Sequence, residues 1–294
     1  MIIKLSSENY QVAIDTLGAE LKSFTDPSGR EFIWNADPAY WNGSSPLLFP
    51  TIGNVRNGRT IIEGISREMP QHGFCKSSQF SVSGQSENEV TFSLTDSDAT
   101  HPIYPYAFKL CLTYRLCGNH LQMTCQVFNR DSRTMYYHIG AHPGFMCPLE
   151  EGEAFTDYIL EFEKDEHLNA TVYDLKNCCF SSGTHRLYAE KGRTISLAPE
   201  LFNDDAIFFE HTDSNVVRLL NPASGKGVAV DYTDFVSVAF WTPLGGAPFL
   251  CVEPWNGSAI YDDEDDIFTH KRNIQSLEPG ADAVYELGIS LIGY

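Results

Sequence analysis

Basic residues are scarce in this chain. Its 294 residues carry 20 lysines and arginines against 39 aspartates and glutamates, a formal net charge of −19. Such a surface repels phosphate backbones and anionic bilayer faces, so no nucleic-acid or membrane partner is expected. It also weighs against a strongly anionic substrate, unless a local basic pocket reverses the balance. No apolar run approaches the length of a membrane-spanning helix. The opening Met1-Ile2-Ile3-Lys4 lacks the build of a secretory leader. No Cys-x-x-Cys occurs among the eight cysteines (75, 111, 117, 125, 147, 178, 179 and 251), and the adjacent Cys178-Cys179 is not a zinc spacing. Several of these cysteines sit inside apolar runs. The expectation is reduced, buried thiols in a cytoplasmic protein.

Amphipathic helices are also missing. No stretch of a dozen residues shows the helical period, and short turns near Pro38 to Trp41 and Pro199 to Phe202 are the most that is expected. No Pro/Gly/Ser-rich linker, composition shift or fixed-period repeat divides the chain. What is present is alternation. Val90, Phe92 and Leu94 alternate with polar neighbours, as do Phe108, Leu110, Leu112, Tyr114 and Leu116. Leu121, Met123, Cys125 and Val127 continue the pattern, and Tyr285, Leu287, Ile289 and Leu291 repeat it near the C-terminus. Period two in short runs separated by Gly, Asn, Asp and Ser predicts antiparallel sheets with one buried face. The economical architecture is all-β: one large antiparallel β-sandwich over residues 1–294, with few short helices. The dense run Asp262-Asp263-Glu264-Asp265-Asp266 reads as a solvated loop, because it lacks the glycine turn and later glutamate of a calcium loop.

Four stretches depart from ordinary strand or turn sequence. Leu250-Cys251-Val252-Glu253-Pro254-Trp255-Asn256-Gly257 is an apolar run that ends in a carboxylate. A carboxylate at the end of a buried strand needs partners or a task. Trp255 could supply a flat wall for a ring-shaped ligand. Pro46 to Gly58 is an apolar run between prolines that leads into a Gly loop with Arg56, a donor for ligand oxygens or a surface arginine. Pro70-Gln71-His72-Gly73-Phe74 sets a histidine in a loop, where it serves a ligand or a structural hydrogen bond. Tyr137 to Phe145 contains His138 and His142 among small residues. Gly140 and Pro143 oppose a helix, and the loop-like His142-Pro143 end should make the two histidines diverge. With no third ligand evident, that pair predicts no metal site. A histidine and a glutamate across one pocket would form a general acid and general base needing no cofactor.

Taken in order, these stretches resemble the aldose 1-epimerase (galactose mutarotase-like) superfamily, nearest its bacterial LacX-type branch. Leu17 to Ser23, Ile33-Trp34-Asn35 and Tyr40-Trp41 extend the resemblance over nearly the whole chain. It implies a large β-sandwich with the site in a concave face, and interconversion of the α and β anomers of an aldose. In that scheme Glu253 takes the anomeric hydroxyl proton and His142 protonates the ring oxygen. The ring opens, C1–C2 rotates, and closure on the other face exchanges the two roles. The resemblance further assigns His72, Arg56 and Asp205 to sugar hydroxyls, with Asp204 an adjacent rival. Trp255, Phe74 and Phe145 become apolar walls. Near neutral pH, Glu253 should be ionised and His142 protonated in the productive complex, a state that acidic surroundings would favour.

The chain has Gly53-Asn54 where many members read Gly-Arg. Asparagine has neither the charge nor the donor fork of arginine, which weighs against an anionic sugar at that position. His138 has no role in the scheme. The expected ligand is a free monosaccharide. The alternatives are a hexose-6-phosphate epimerase, drawing on Arg56, Arg59 and Lys76, and a non-catalytic carbohydrate-binding or sensing protein on the same fold.

Overall fold

The computed structural model describes all 294 residues. The fold is all-β. Fifteen strands form one large sheet, flanked by a three-stranded sheet at the N-terminus and two two-stranded ribbons. The helices are five single 3-10 turns, including Pro199–Phe202, while Pro38 to Trp41 is a plain turn. The alternating stretches became strands Glu89–Thr95, Phe108–Cys117, His120–Asn129 and Asp282–Ile292, each with its apolar positions on the inner face. They lie side by side as antiparallel neighbours, so their inner faces make one continuous layer of the core. Sixty-three buried side chains, from Ile3 to Leu291, join in that core.

The other half of the large sheet is built differently. Strand Phe249–Asn256 is buried at every position, on both faces. It pairs with Ser237–Trp241 along one edge and with Ile139–Ala141 and Gly144–Met146 along the other. A strand covered on both sides reads as a continuous apolar run rather than an alternation, which explains the Phe249 to Val252 sequence.

The acidic run is the largely exposed loop expected of it, with Glu264 as the exception. Glu264 is buried at its side chain, accepts from the Tyr261 and Arg272 backbone N–H groups, and lies 3.7 Å from the buried Lys271 ammonium. Asp266 holds Arg56 at 3.1 Å, Asp263 holds Arg272 at 2.9 Å, and Asp265 holds His270 at 2.8 Å. The charges are dense because the segment clasps cations from neighbouring loops. The eight cysteines are all free; Cys75, Cys125, Cys147, Cys179 and Cys251 are buried, whereas Cys117 and Cys178 reach the surface against expectation.

The loop that carries His72 is fixed by Gly73. Its φ is +72°, and a Cβ there would fall 2.0 Å from the Phe49 carbonyl oxygen. Gly73→Ala is expected to destabilise the fold by roughly 2–4 kcal/mol, combining left-handed strain with overpacking against backbone. Gly64 shares the positive φ but has open space around it, so Gly64→Ala should lose only about 1 kcal/mol. Urea denaturation midpoints of the two variants make the comparison.

Candidate active site

The register of two strand pairings builds the site. Gly140 faces Trp255 and Gly144 faces Cys251, which sets position 142 directly opposite position 253. His142 and Glu253 are therefore cross-strand neighbours, the closest side-chain relation that a sheet provides. Their Nε2 and Oε2 atoms lie 3.1 Å apart, with His142 7% and Glu253 1% exposed. Glycines on either side of His142 make the room. A Cβ at Gly140 would sit 2.9 Å from the Trp255 ring, and one at Gly144 would press on Trp34 and Trp41. Ala239 is paired with Glu253 on its other side and keeps that flank low.

The pair lies in a cavity of about 650 Å³. One wall is aromatic. Trp41 stacks on the His142 ring at 4.9 Å and 28°, and Trp241 meets both edge-on. Trp255, packed on Phe208, supplies a second apolar surface. Polar lining comes from Asn54, Gln71, His72, Lys76 and Asp205, the last within reach of the Trp241 indole. His72 Nδ1 accepts from the Gly53 N–H at 3.1 Å, which leaves the ring proton on Nε2. Its ring stands 5.5 Å from that of His142.

Of the residues singled out in the sequence, His142, Glu253, His72, Asp205 and Trp255 share this cavity. Asp204 turns away toward Arg186, at 3.7 Å. Two of the expected binding residues are elsewhere. Arg56 donates to Asp266 and to the Tyr261 and Glu264 carbonyls. Phe74 packs in the core against Phe49, Tyr104 and Phe108. Phe145 is wholly buried as well. Arg56 and Phe74 each lie two residues from a lining residue, Asn54 and His72, but these are loop segments whose backbone turns break the strand alternation. His138 also diverges from His142, as expected. It is buried against Gly257, with Nε2 3.1 Å from the Arg272 carbonyl, so its role is to tie down the Gly257–Arg272 segment.

Trp41, Trp241, Tyr173, Phe180 and Lys22 line the cavity without having been assigned to it, and Lys76, weighed only for a phosphorylated sugar, lines it too. Trp241 carried a usable signal, since it ends an apolar run one hairpin before Phe249 to Asn256. Tyr173 and Phe180 come from the long hairpin Ile159–Asp174 and Cys179–Ser196, whose pairing shifts register four times. No period in the sequence marks that path.

The protonation expected from the acidic composition is reversed inside the cavity. Burial drives the His142 pKa down to about 3, with the Lys76 charge adding to the effect. Burial also raises Glu253 well above the usual carboxylate range, helped by Asp205; the nearby Trp255 indole opposes the rise. Both effects favour uncharged groups, so the single mobile proton of the pair rests on Glu253 and not on His142. Asp205 is pushed up by burial too, against the pull of Trp241. His72 is lowered well below its ordinary value, by burial first and then by the proximity of His142 and Lys76.

The chain belongs to the aldose 1-epimerase family, and this cavity is its candidate site. The aldose 1-epimerase family model matches residues 1–274. Two LacX proteins of Lactococcus lactis subsp. lactis, one plasmid-borne and one chromosomal, are each 35% identical over 285 residues, 95% of both chains. A galactose mutarotase-related enzyme from Lactobacillus acidophilus superposes with a TM-score of 0.90 at 27% identity, covering 99% of this chain and 97% of its own. A galactose mutarotase-like protein from Lactobacillus casei gives 0.90 at 26%, covering 99% and 100%.

A buried carboxyl with a raised pKa lowers stability once the pH exceeds its unfolded value near 4.5, because the unfolded chain then ionises and the folded one resists. Glu253→Gln removes that penalty and keeps the shape. The variant should be at least as stable as the parent at pH 7, by about 1 kcal/mol. At pH 4 the advantage should vanish. Thermal melts at the two pH values test this, and a clear loss of stability at pH 7 would contradict the assigned proton.

Proposed function

We propose that the protein is a cofactor-independent aldose 1-epimerase that interconverts the anomers of a free aldose through the open-chain aldehyde. The 3.1 Å approach of His142 and Glu253 at the base of the cavity carries this reading. A pyranose entering above the pair would lay its C–H face on Trp41 or Trp255 and turn its hydroxyls to His72, Asp205 and Asn54. Hydroxyl donors then replace the solvation that Glu253 lacks, and its proton crosses to His142. In that ion-paired form Glu253 removes the anomeric hydroxyl proton while His142 protonates the ring oxygen, so the C1–O5 bond breaks as the C1 carbonyl forms. Rotation about C1–C2 presents the other carbonyl face. The protons return along the same two paths, and the pair ends as it began. Positioned acid and base groups contribute about 10²–10⁴-fold each.

A phosphorylated aldose is the second reading. Of the cations weighed for it, Lys76 lines the cavity, whereas Arg56 is engaged with Asp266 and Arg59 with Glu68. Lys22 is also at the rim but is held by Glu20 at 3.0 Å. One uncommitted ammonium is less than a phosphate clamp normally needs, so the free sugar is preferred.

Anomer exchange measured by polarimetry or NMR saturation transfer, over a panel of free and phosphorylated aldoses, decides among these. Glu253→Gln and His142→Asn should each lower kcat by at least ~100-fold. Sugar binding with no exchange above the uncatalysed rate would leave a carbohydrate-binding protein. A response confined to phosphorylated sugars would favour the second reading.

The proton assignment adds a pH signature. The pair keeps its one proton from about pH 3 until the raised Glu253 value is passed. The kcat/KM profile should therefore run flat through pH 6.5 and fall on the alkaline side, where the acid is lost. An inflection near 6.5 that disappears in His142→Asn would show an ordinary histidine and overturn the assignment.

A further inference from the structure

Cys251 has no part in the acid–base scheme, yet it stands on the same strand face as Glu253, two residues earlier. Its thiol makes no hydrogen bond, and Trp34 and Phe249 pack beside it. The His142 imidazole, the Cys251 thiol and the Glu253 carboxylate bring one ligand atom each within 4.8 Å of one another. All three residues are buried. We propose that His142, Cys251 and Glu253 form a binding site for a borderline-soft divalent cation, zinc being the natural occupant, and that its occupation shuts the cavity to sugar.

The donor set is one that zinc accepts: imidazole nitrogen, thiolate sulfur and carboxylate oxygen at about 2.0–2.3 Å. Around a tetrahedral ion such ligands lie roughly 3.3–3.8 Å apart. The 3.1 Å between Nε2 and Oε2 is slightly short of that range, and bringing in a thiol at up to 4.8 Å needs a shift of at most about 1–1.5 Å. One further observation favours a ligand there: Glu253 Oε2 is buried, and its 3.1 Å approach to His142 Nε2 does not make a well-formed hydrogen bond. His142 and Glu253 line the cavity, so a sugar there would compete with the ion for both groups.

Binding balances simply. The thiol releases one proton and the His142–Glu253 pair releases another; the ion takes the nitrogen, sulfur and oxygen lone pairs, and no electron changes hands. Occupation removes both proposed acid–base groups at once, so metal and turnover exclude each other. The site itself stands on geometry; only its effect on turnover rests on the proposed anomer exchange. The Cys178-Cys179 pair, which the sequence also brings forward, has one exposed member and no converging imidazole or buried carboxylate.

Cobalt(II) provides a reading that does not depend on activity. One equivalent added to the purified wild-type chain should give tetrahedral d–d bands and a near-ultraviolet thiolate-to-cobalt charge-transfer band. Zinc should displace the cobalt with the same stoichiometry. Cys251→Ser and Cys251→Ala should lose the charge-transfer band and weaken zinc binding by at least about 100-fold. Where the wild type catalyses exchange, zinc should inhibit competitively with sugar and should lose that effect in the Cys251 variants. Should these variants fail to fold by circular dichroism, the Cys117→Ser/Cys178→Ser double variant must keep the band, since it lacks the exposed thiols. The proposal is overturned if the wild type gives no thiolate band, if the band survives in folded Cys251 variants, or if it vanishes with the exposed thiols.

Discussion

One cross-strand pair sets the terms for this half of the molecule. Placing an acid and a base opposite each other in a sheet buried on both faces is expensive, and neither group finds full solvation or full hydrogen bonding. The surroundings are arranged around that fact. Gly140 and Gly144 leave space beside His142, and Ala239 leaves it beside Glu253. The strand beneath is held along both edges, so the two groups cannot relax apart to find water. The rest of the large sheet and its 63-residue core supply the stability against which this local deficit is set.

The same burial explains why the overall charge misleads about the site. A net charge of −19 suggests that a histidine would hold its proton. Those carboxylates are mostly at the surface, where salt screens them over about 10 Å. Inside the cavity the missing solvation of His142 and the nearby Lys76 charge act at short range and with the opposite sign. Local desolvation decides, and the mean charge keeps its meaning only for partners that meet the outer surface.

The sequence was most legible where one face of a strand meets water. Phe108–Cys117, His120–Asn129 and Asp282–Ile292 alternate because their two faces see different environments. Glu253 and His142 stood out for a related reason, as polar residues in apolar or glycine-rich stretches. What the sequence withheld was direction. Arg56 and Phe74 each sit two residues from ones that do line the cavity, yet one belongs to a salt-bridged clasp and the other to the core. Tyr173 and Phe180 arrive on an irregular hairpin whose four register shifts erase any period. Sequence pattern reports environment well, and reports which of two sides a side chain takes only while the period is unbroken.

The lining of the cavity bears on the ligand more than any single residue does. Trp41, Trp241 and Trp255 offer apolar surface, and His72, Asn54 and Asp205 offer donors and acceptors in the same cavity. The two kinds are interleaved, since Asp205 reaches the Trp241 indole. A flat apolar ligand would leave the polar groups unsatisfied, and a compact ion would leave the indoles idle. A cyclic polyol, with one C–H face and a rim of hydroxyls, would meet both kinds of surface. Under the proposed function, that match is the reason a carboxyl and an imidazole 3.1 Å apart would serve anomeric chemistry.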